Sequence, residues 1–363
     1  MVTWLASRHN VGVPTKPRLV DVAEQAGVSM KTVSNVINEF PHVSPGTRAK
    51  VQAAIDVLGY RPNQSARNLA RGLTGTIALV VPQLDMPYFA ALSMQVLEAA
   101  EQAGWMVIIQ QTRGDLTAER AILHGHSPHR LDGMIFSPVR IGPTDLRDRE
   151  DSTPLVLLGE QTYPGVADHV AVDNVAAART AVQHLIGLGR RRVAMVGART
   201  RNRQNPRFRG YLTALRAAGL EVDDALHLPA PNGRGTDGEA AIHGLLDRGV
   251  EPPDAVFCMT DWVALGVVRA LQQRGLRVPE DVAVVGFDDI PYGLAATPTL
   301  TTVSTDREQI AGLAVQSLLD QLAARRAGTE FRPSERTAGF RLVVRESTAG
   351  RSGSAPGLHR GEP

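Results

Sequence analysis

Acidic side chains recur in this chain at one kind of place, directly after short apolar runs. Glu160 follows "LVLLG", Asp173 follows "HVAV", Asp261 follows "DAVFCMT", and Asp288 with Asp289 closes "VAVVGFDD". Gln83–Asp85, Ser137 and Thr260 hold matching positions. An apolar run ending in carboxylates reads as a buried strand delivering acceptors at its C-terminal end, where open α/β sheets bind ligands. Carboxylates could also do acid–base work. Yet no GxSxG elbow, no P-loop and no GxGxxG after a strand is expected to partner them. His124, His126 and His129 in "HGHSPHR" have no cysteine or carboxylate cluster beside them, and the first two fall on different helical faces. Solvated loop histidines fit that better than a zinc site. Acids without a nucleophile or a metal set point to binding rather than turnover, so neither an enzyme nor a cofactor or metal is expected.

A second set lies near the N-terminus. In "LVDVAEQAGVSMKTVSNVINEF", residues 19–40, two short helical patterns are broken by Gly27, placed where a left-handed turn is needed. Ser29 is placed to cap the second helix. Val33, Val36 and Ile37 recur at helical spacing and leave Met30, Lys31, Ser34, Asn35 and Asn38 on other faces. Ser44 before Pro45 opens a third helix whose buried stripe is Val51, Ala54, Ile55 and Leu58. A helix-turn-helix reads the major groove with the first turns of its second helix. Ser29, Met30, Lys31 and Asn35 are suited to that, since lysine can donate to guanine and asparagine can bond adenine. By pattern alone, a small helical subdomain with solvated polar residues fits as well.

The elements that must position these residues follow from the rest of the chain. At 363 residues, with 43% hydrophobic and 21% charged side chains, the chain is globular and long enough for two or three domains. Net charge is only +2, but between Lys16 and Gly72 eight basic residues stand against four acidic ones. A basic head on a slightly acidic body suggests a polyanion partner. No apolar run reaches the roughly 18 residues of a membrane span, and residues 1–17 carry no secretory h-region. The single Cys258 fits a reducing compartment, so a cytoplasmic location without membrane contact is expected.

From Thr76 onward short apolar runs alternate with amphipathic segments. Strands are predicted over 76–82, 105–111, 132–138, 155–160, 169–174, 193–198, 254–260, 282–289, 300–304 and 340–347. Helices are predicted over 87–104, from 174 through 189, and over 206–219, 261–275 and 306–327. Such alternation implies parallel sheets covered on both faces. The pattern restarts near residue 190, which favours two α/β subdomains over one.

Residues 19–71 closely resemble the DNA-binding headpiece of the LacI/GalR family of bacterial transcription repressors. The elements "DVAxxAGVSxxTVSxVIN", "VSPxTRxKV" and "LGYxPNxxAR.L" occur in order and in register. Further on, "HVAVDN", "HLIGLGRRRVAMVG", "RFRGYLTAL", "TDWVALGVVRAL", "DVAVVGFDDIP" and "PTLTTVSTD" are similar to that family's effector-binding core. The resemblance runs from about Leu19 to Ser347. It implies an α/β protein with a small all-α helix-turn-helix domain at 18–60, a hinge helix or linker at 61–73, and a two-lobed, periplasmic-binding-protein-like core of type I at 74–347. Residues 1–17 and 348–363 would be disordered extensions.

Carried over by position, Met30 and Lys31 become the main base readers, and Ser29, Thr32, Ser34 and Asn38 contact or approach phosphates. His42, Tyr60 and Asn63 fall where the family touches the backbone or a groove edge, and Leu69 matches the leucine that wedges into the minor groove. Asn35 stands where many members carry arginine, so the base read there differs. In the core, Arg207 matches the family's effector-binding arginine, Asp288 the opposing carboxylate, and Tyr88 with Phe89 the aromatic pair beside the pocket. Asp261 holds its family position, whereas Thr260 stands where asparagine is common. Trp262 could stack on a sugar face or simply pack.

The resemblance therefore implies a repressor that binds a pseudo-palindromic, double-stranded operator as a homodimer, modulated by a small-molecule effector. Carboxylates facing a guanidinium suit a sugar, and a purine or another metabolite could use the same groups. A sugar-binding transport protein would explain the core but not the head. An enzyme on this fold would need a catalytic motif.

Overall fold

The computed structural model describes residues 17–37, 40–60, 73–126, 129–160, 165–197 and 205–350. They form two compact units, one up to Gly75 and one from Thr76 onward. Asn38, Asn63 and Leu69, most of the hinge at 61–73, and most of both predicted extensions lie outside the described residues.

The head comprises α1 (Leu19–Ala26), α2 (Met30–Ile37) and α3 (Pro45–Leu58). Gly27 ends α1 at φ 64°, a conformation that carries no Cβ penalty for glycine. The Ser29 hydroxyl then accepts from the Thr32 amide at 3.1 Å, and Ser44 accepts from Thr47 at 3.3 Å, so both following helices start on a side-chain cap. Val22, Ala23, Val33, Val36, Val51 and Ala54 are buried together, with Val28, Ile37, Ile55, Leu58 and Tyr60 packed around them.

The larger unit has two lobes, each a six-stranded sheet. Lobe 1 begins with β1 (Thr76–Val81), α4 (Pro87–Gln102), β2 (Met106–Gln111), α5 (Leu116–Leu123), β3 (Gly133–Phe136), α6 (Pro143–Arg147), β4 (Leu155–Leu158) and β5 (Asp168–Val172). Lobe 2 follows with α7 (Asn174–Gly187), β6 (Val193–Val196), α8 (Pro206–Ala217), β7 (His227–Leu228), α9 (Gly235–Asp247), β8 (Ala255–Cys258), α10 (Asp261–Gln273), β9 (Ala283–Phe287), α11 (Tyr292–Ala295) and β10 (Thr301–Thr305). The chain then returns to lobe 1 for α12 (Arg307–Ala327) and β11 (Glu335–Ala338). It ends in lobe 2 with β12 (Phe340–Val343) and α13 (Glu346–Ala349). The sheet orders are β11-β5-β4-β3-β1-β2 and β12-β10-β9-β8-β6-β7. All pairings are parallel except β10 with β12.

The interior strands are continuous Val/Ile/Leu/Ala runs because both sheet faces are covered. In lobe 1, α12 and α4 cover one face, where Ile310, Ala314 and Leu318 meet Ile77, Leu79 and Val156. In lobe 2, α7 and α8 cover one face and α9 and α10 the other.

Three crossovers join the lobes, at Asp173, Asp306 and Gly339, and the Asp306 amide donates to the Gly339 carbonyl at 3.1 Å. This corrects two expectations. The lobe boundary lies at residue 173 rather than near 190, because α7 packs on the second sheet. The chain also stays in the fold beyond residue 347: Ser347 and Thr348 are buried in α13, and Thr348 bonds His184 and Thr301.

A further expectation is corrected here: a GxGxxG does follow a strand, since "GRGTDG" at 233–238 opens α9 shortly after the two-residue strand β7. Its glycines serve packing: a Cβ on Gly238 would lie 2.2 Å from the Val263 carbonyl of α10. Among the described residues no helix is long and apolar enough to cross a membrane.

Candidate functional site

On the head, the start of α2 carries the exposed residues Ser29, Met30 and Lys31, with Met30 54% exposed. Asn35 and Ser34 are half-buried one turn on. Thr32 is turned toward the cap, its hydroxyl 2.9 Å from that of Ser29. His42 is exposed with its ring edge-to-face on Phe40, whereas the Tyr60 ring packs on the head core. Arg48, which sequence reasoning passed over, donates from α3 to the Val36 carbonyl at 3.4 Å and the Phe40 carbonyl at 3.1 Å. It therefore braces the end of α2 and favours that helix's negative C-terminal dipole.

In the larger unit, the residues after β1, β4, β6, β8, β9 and β10 gather between the lobes, around Arg207. Asn205 caps α8 by accepting from Phe208 at 3.1 Å, and Pro206 occupies the first helical position, which fixes where Arg207 projects. Its guanidinium lies over the Phe287 ring, 3.8 Å from the centroid. Nε is 2.7 Å from Glu160 of lobe 1 and 3.3 Å from Asn174, and Nη1 donates to the Met259 carbonyl. The same Nη1 is 3.7 Å from the Asp288 carboxylate of lobe 2. Asn205 adds a second lobe-to-lobe bond by donating to Glu160 at 3.1 Å. Glu160 itself follows Gly159, whose carbonyl is held by His169 at 3.0 Å.

Asp288 is only 4% exposed, and burial pushes its carboxyl up to about 8. Arg207 opposes that rise, while Asp261 and Glu160 add to it. Burial also drives the Tyr88 phenol up to about 12, with Asp288 contributing. Phe89 meets Tyr88 edge-to-face and packs toward the lobe 1 core.

Two sequence-predicted contacts look inward instead. Asp261 is completely buried; its carboxylate accepts from the Thr302 hydroxyl at 2.6 Å and the Ile290 amide at 2.8 Å. It fastens the 288–290 turn rather than facing the cleft, and burial raises it to about 6. Gly286 is required for this approach, since a Cβ there would sit 2.1 Å from Asp261 Oδ1. Thr260 caps α10 through the Val263 amide at 3.2 Å. Trp262 lies against Tyr292, ring centroids 5.5 Å apart. Asp173 caps α7, and Asp289 pairs with Arg345 at 2.6 Å.

Sequence reasoning missed Asn174, Asn205, Arg234 and Arg307. Arg234 meets Asp85 at 2.7 Å across the rim. Arg307 carried no such signal, because β10 before it reads "TTVST" rather than an apolar run. The assembled cleft offers charged acceptors and donors within one small volume, the pattern that satisfies several hydroxyls at once.

Comparison with known proteins agrees with both units. The profile of bacterial regulatory proteins of the lacI family matches residues 18–63, and that of the periplasmic binding protein-like domain matches residues 182–348. The HTH-type transcriptional regulator CelR of Thermobifida fusca is 36% identical over 344 residues, covering 92% of this chain and 98% of CelR. A solved CelR–cellobiose complex superimposes with a TM-score of 0.64 at 33% identity, over 91% of this chain and 99% of that one. A LacI-family regulator from Sanguibacter keddieii shares 43% identity over 76% of this chain and 99% of its own, with a TM-score of 0.70. The lac repressor dimer bound to operator and the anti-inducer ONPF shares 27% over 92% of this chain and 99% of its own, with a TM-score of 0.71. With a helix-turn-helix head, a two-lobed core and relatives this close along nearly its whole length, the chain belongs to the LacI family of bacterial transcription regulators.

Proposed function

We propose that this protein is a cytoplasmic, non-enzymatic repressor. It binds a pseudo-palindromic operator as a homodimer and changes its affinity when a small polyhydroxylated effector, a sugar, occupies the interlobe cleft. The observation that carries the effector reading is the bridge from Glu160 of lobe 1 through Arg207 to Asp288 of lobe 2. A ligand that replaces part of this bridge alters the free energy of lobe closure, and a ligand shifts a conformational equilibrium only through such differential contacts. Tyr88 and Phe89 would form the apolar wall, while Thr260 and Asp261 act behind the turn.

For DNA, Met30, Lys31 and Asn35 would face the bases. Ser29, Thr32, Ser34, Asn38, His42, Tyr60 and Asn63 would contact the backbone or groove edge, and Leu69 would wedge the centre of the site. The head is taken as 18–60, the hinge as 61–73 and the core as running from 74 through α13. The lac repressor dimer on its operator and the cellobiose-bound CelR support each half of this reading.

The test has two arms. Duplexes selected from a random pool should be bound with an affinity that falls steeply with salt, as counterion release requires. Thermal-shift screening of cellobiose, ribose and nucleobases should give a hit that disappears in Arg207→Ala. Salt-independent DNA binding, or a hit that survives that substitution, would refute the corresponding half.

A further inference from the structure

Arg307 stands just past the second crossover as the first residue of α12. The helix starts on the Asp306 cap, which accepts from Gln309 at 2.9 Å, and buries Ile310, Ala311, Ala314, Val315 and Leu318 in lobe 1. Further along, Gln321 bonds both the amide and the carbonyl of Leu155, and Arg325 donates to the Ser152 carbonyl at 3.2 Å. The helix is therefore built into lobe 1, yet the guanidinium at its start reaches lobe 2. There it donates to the carbonyl of Asp288 and, at 3.1 Å, to that of Asp289.

Those two carbonyls belong to unusual residues. Asp288 and Asp289 have φ of 112° and 54°, a region that side chains other than glycine rarely adopt. Such a backbone persists only where neighbours over-determine it. From within lobe 2 the turn is held by Ile290 to Asp261 at 2.8 Å and by the Asp288 amide to Val303 at 2.8 Å. Arg307 supplies the hold from the other lobe.

We propose that Arg307 is a positioning residue: reaching from lobe 1, it holds the Asp288–Asp289 turn so that the Asp288 carboxylate faces Arg207, and so links occupancy of the cleft to the placement of α12. This rests on reading the cleft as the effector site. Arg307 is not needed to contact the effector. The charged and titratable groups facing Asp288 are Arg207, Arg307, Asp261, Glu160 and Tyr88, with Asp289 beside it in the chain. Arg307 is among the groups that restrain the rise caused by burial, so removing its charge raises the Asp288 carboxyl further.

The test uses the full chain with Arg307→Met and Arg307→Lys, each also combined with Asp288→Asn. Without ligand, melting temperature is followed from pH 5 to pH 9.5 (about the range in which the raised carboxyl titrates). The difference between each protein and its Asp288→Asn counterpart isolates the limb owed to Asp288. A raised acid stabilises the fold at low pH and loses that contribution as pH rises through its folded value. The limb should move upward by about one pH unit in Arg307→Met and stay near its original place in Arg307→Lys. In calorimetric titration with cellobiose, Arg307→Met should bind about tenfold more weakly. Arg307→Lys, which cannot grip both carbonyls, should recover only part of that loss. An unmoved limb in Arg307→Met, or full cellobiose affinity in Arg307→Lys, would overturn the assignment. Arg307→Gln serves in place of Arg307→Met if the latter does not fold. A limb that moves as expected while the parent protein binds no sugar would refute the effector reading and leave the hold on Asp288 standing.

Discussion

At the start of α2, Met30, Lys31 and Ser29 lie open to solvent above a core of only six buried small apolar residues. Between the lobes, the partly buried Arg207 is already paired with Glu160 and Asp288, and the buried Asp261 behind them is bonded to Thr302 and Ile290, above cores several times larger. The head thus exposes its proposed base-reading side chains on a marginal fold. The core holds its proposed effector-binding groups paired on a robust one. DNA binding in such a molecule is vulnerable to loss of folding, and effector binding is vulnerable to loss of pairing.

The largest expected effect tests the second half of that contrast. Arg207→Ala leaves Glu160 and Asp288 without the cation that bridges them, and breaking a buried pair costs roughly 3–5 kcal/mol. Because Glu160 is partly exposed and Asp288 readily takes a proton, the lower end is expected. Calorimetry should show the core melting earlier and ligand shifts vanishing, with salt-dependent duplex binding retained. Loss of duplex binding as well would break the separation.

Next in size is Val51→Ala, which removes roughly 2 kcal/mol of packing by analogy with other core truncations. In the head this should abolish duplex binding while the core melts unchanged. The matching Val285→Ala, fully buried in lobe 2, should lower the core's melting temperature yet leave it folded. Equal tolerance in both places would mean that the head is not marginal.

A smaller effect is read in pH. Asp261 and Asp288 sit at about 6 and about 8, above their ordinary values, because burial disfavours their charged forms. They bind protons more tightly folded than unfolded, so their contribution is complete below about pH 4 and is lost as pH rises through those two values. The core's melting temperature should fall between pH 5 and pH 9 (about the window those groups span), and Asp288→Asn should flatten the upper part. In the head, hydrogen bonds from Arg18 hold the Asp21 carboxyl below its usual value, so that residue acts in the opposite direction and only in acid.

The smallest effect concerns Asp85→Asn on the exposed rim. Melting should not change measurably, but stopped-flow should show the ligand leaving faster. An unchanged release rate would confine lobe-to-lobe contact to the inner bridge.

Much of this was legible beforehand because apolar runs name buried strands. "TIALVV", "LVLL" and "AVVGF" each form the element expected of them. β11 was not legible: "ERTA" has mixed polarity because it forms a sheet edge and buries only Ala338 fully. The helix α9 begins on Gly235, where glycine close to α10 hides the usual propensity signal. At the site, a carboxylate after a strand is visible in sequence, but its orientation is not. Asp261 and Asp288 share the same local pattern, and only tertiary packing turns one toward Thr302 and the other toward Arg207. Arg307 escaped because its importance lies in two carbonyl bonds made across the crossover, and backbone acceptors leave no mark in sequence.

The three crossovers also bear on synthesis. Lobe 1 receives its first five strands early but lacks α12 and β11 until residue 338 has been made, so its apolar face around Ile77, Leu79 and Val156 is covered by α4 alone while nearly all of lobe 2 emerges. A nascent chain stalled after β10 would present the rest of that face to solvent and to other chains. Cutting at Asp173 would likewise fail to separate the lobes, because α12 and β11 of lobe 1 would stay on the fragment that carries the whole lobe 2 sheet. The two lobes are thus obliged to finish folding together.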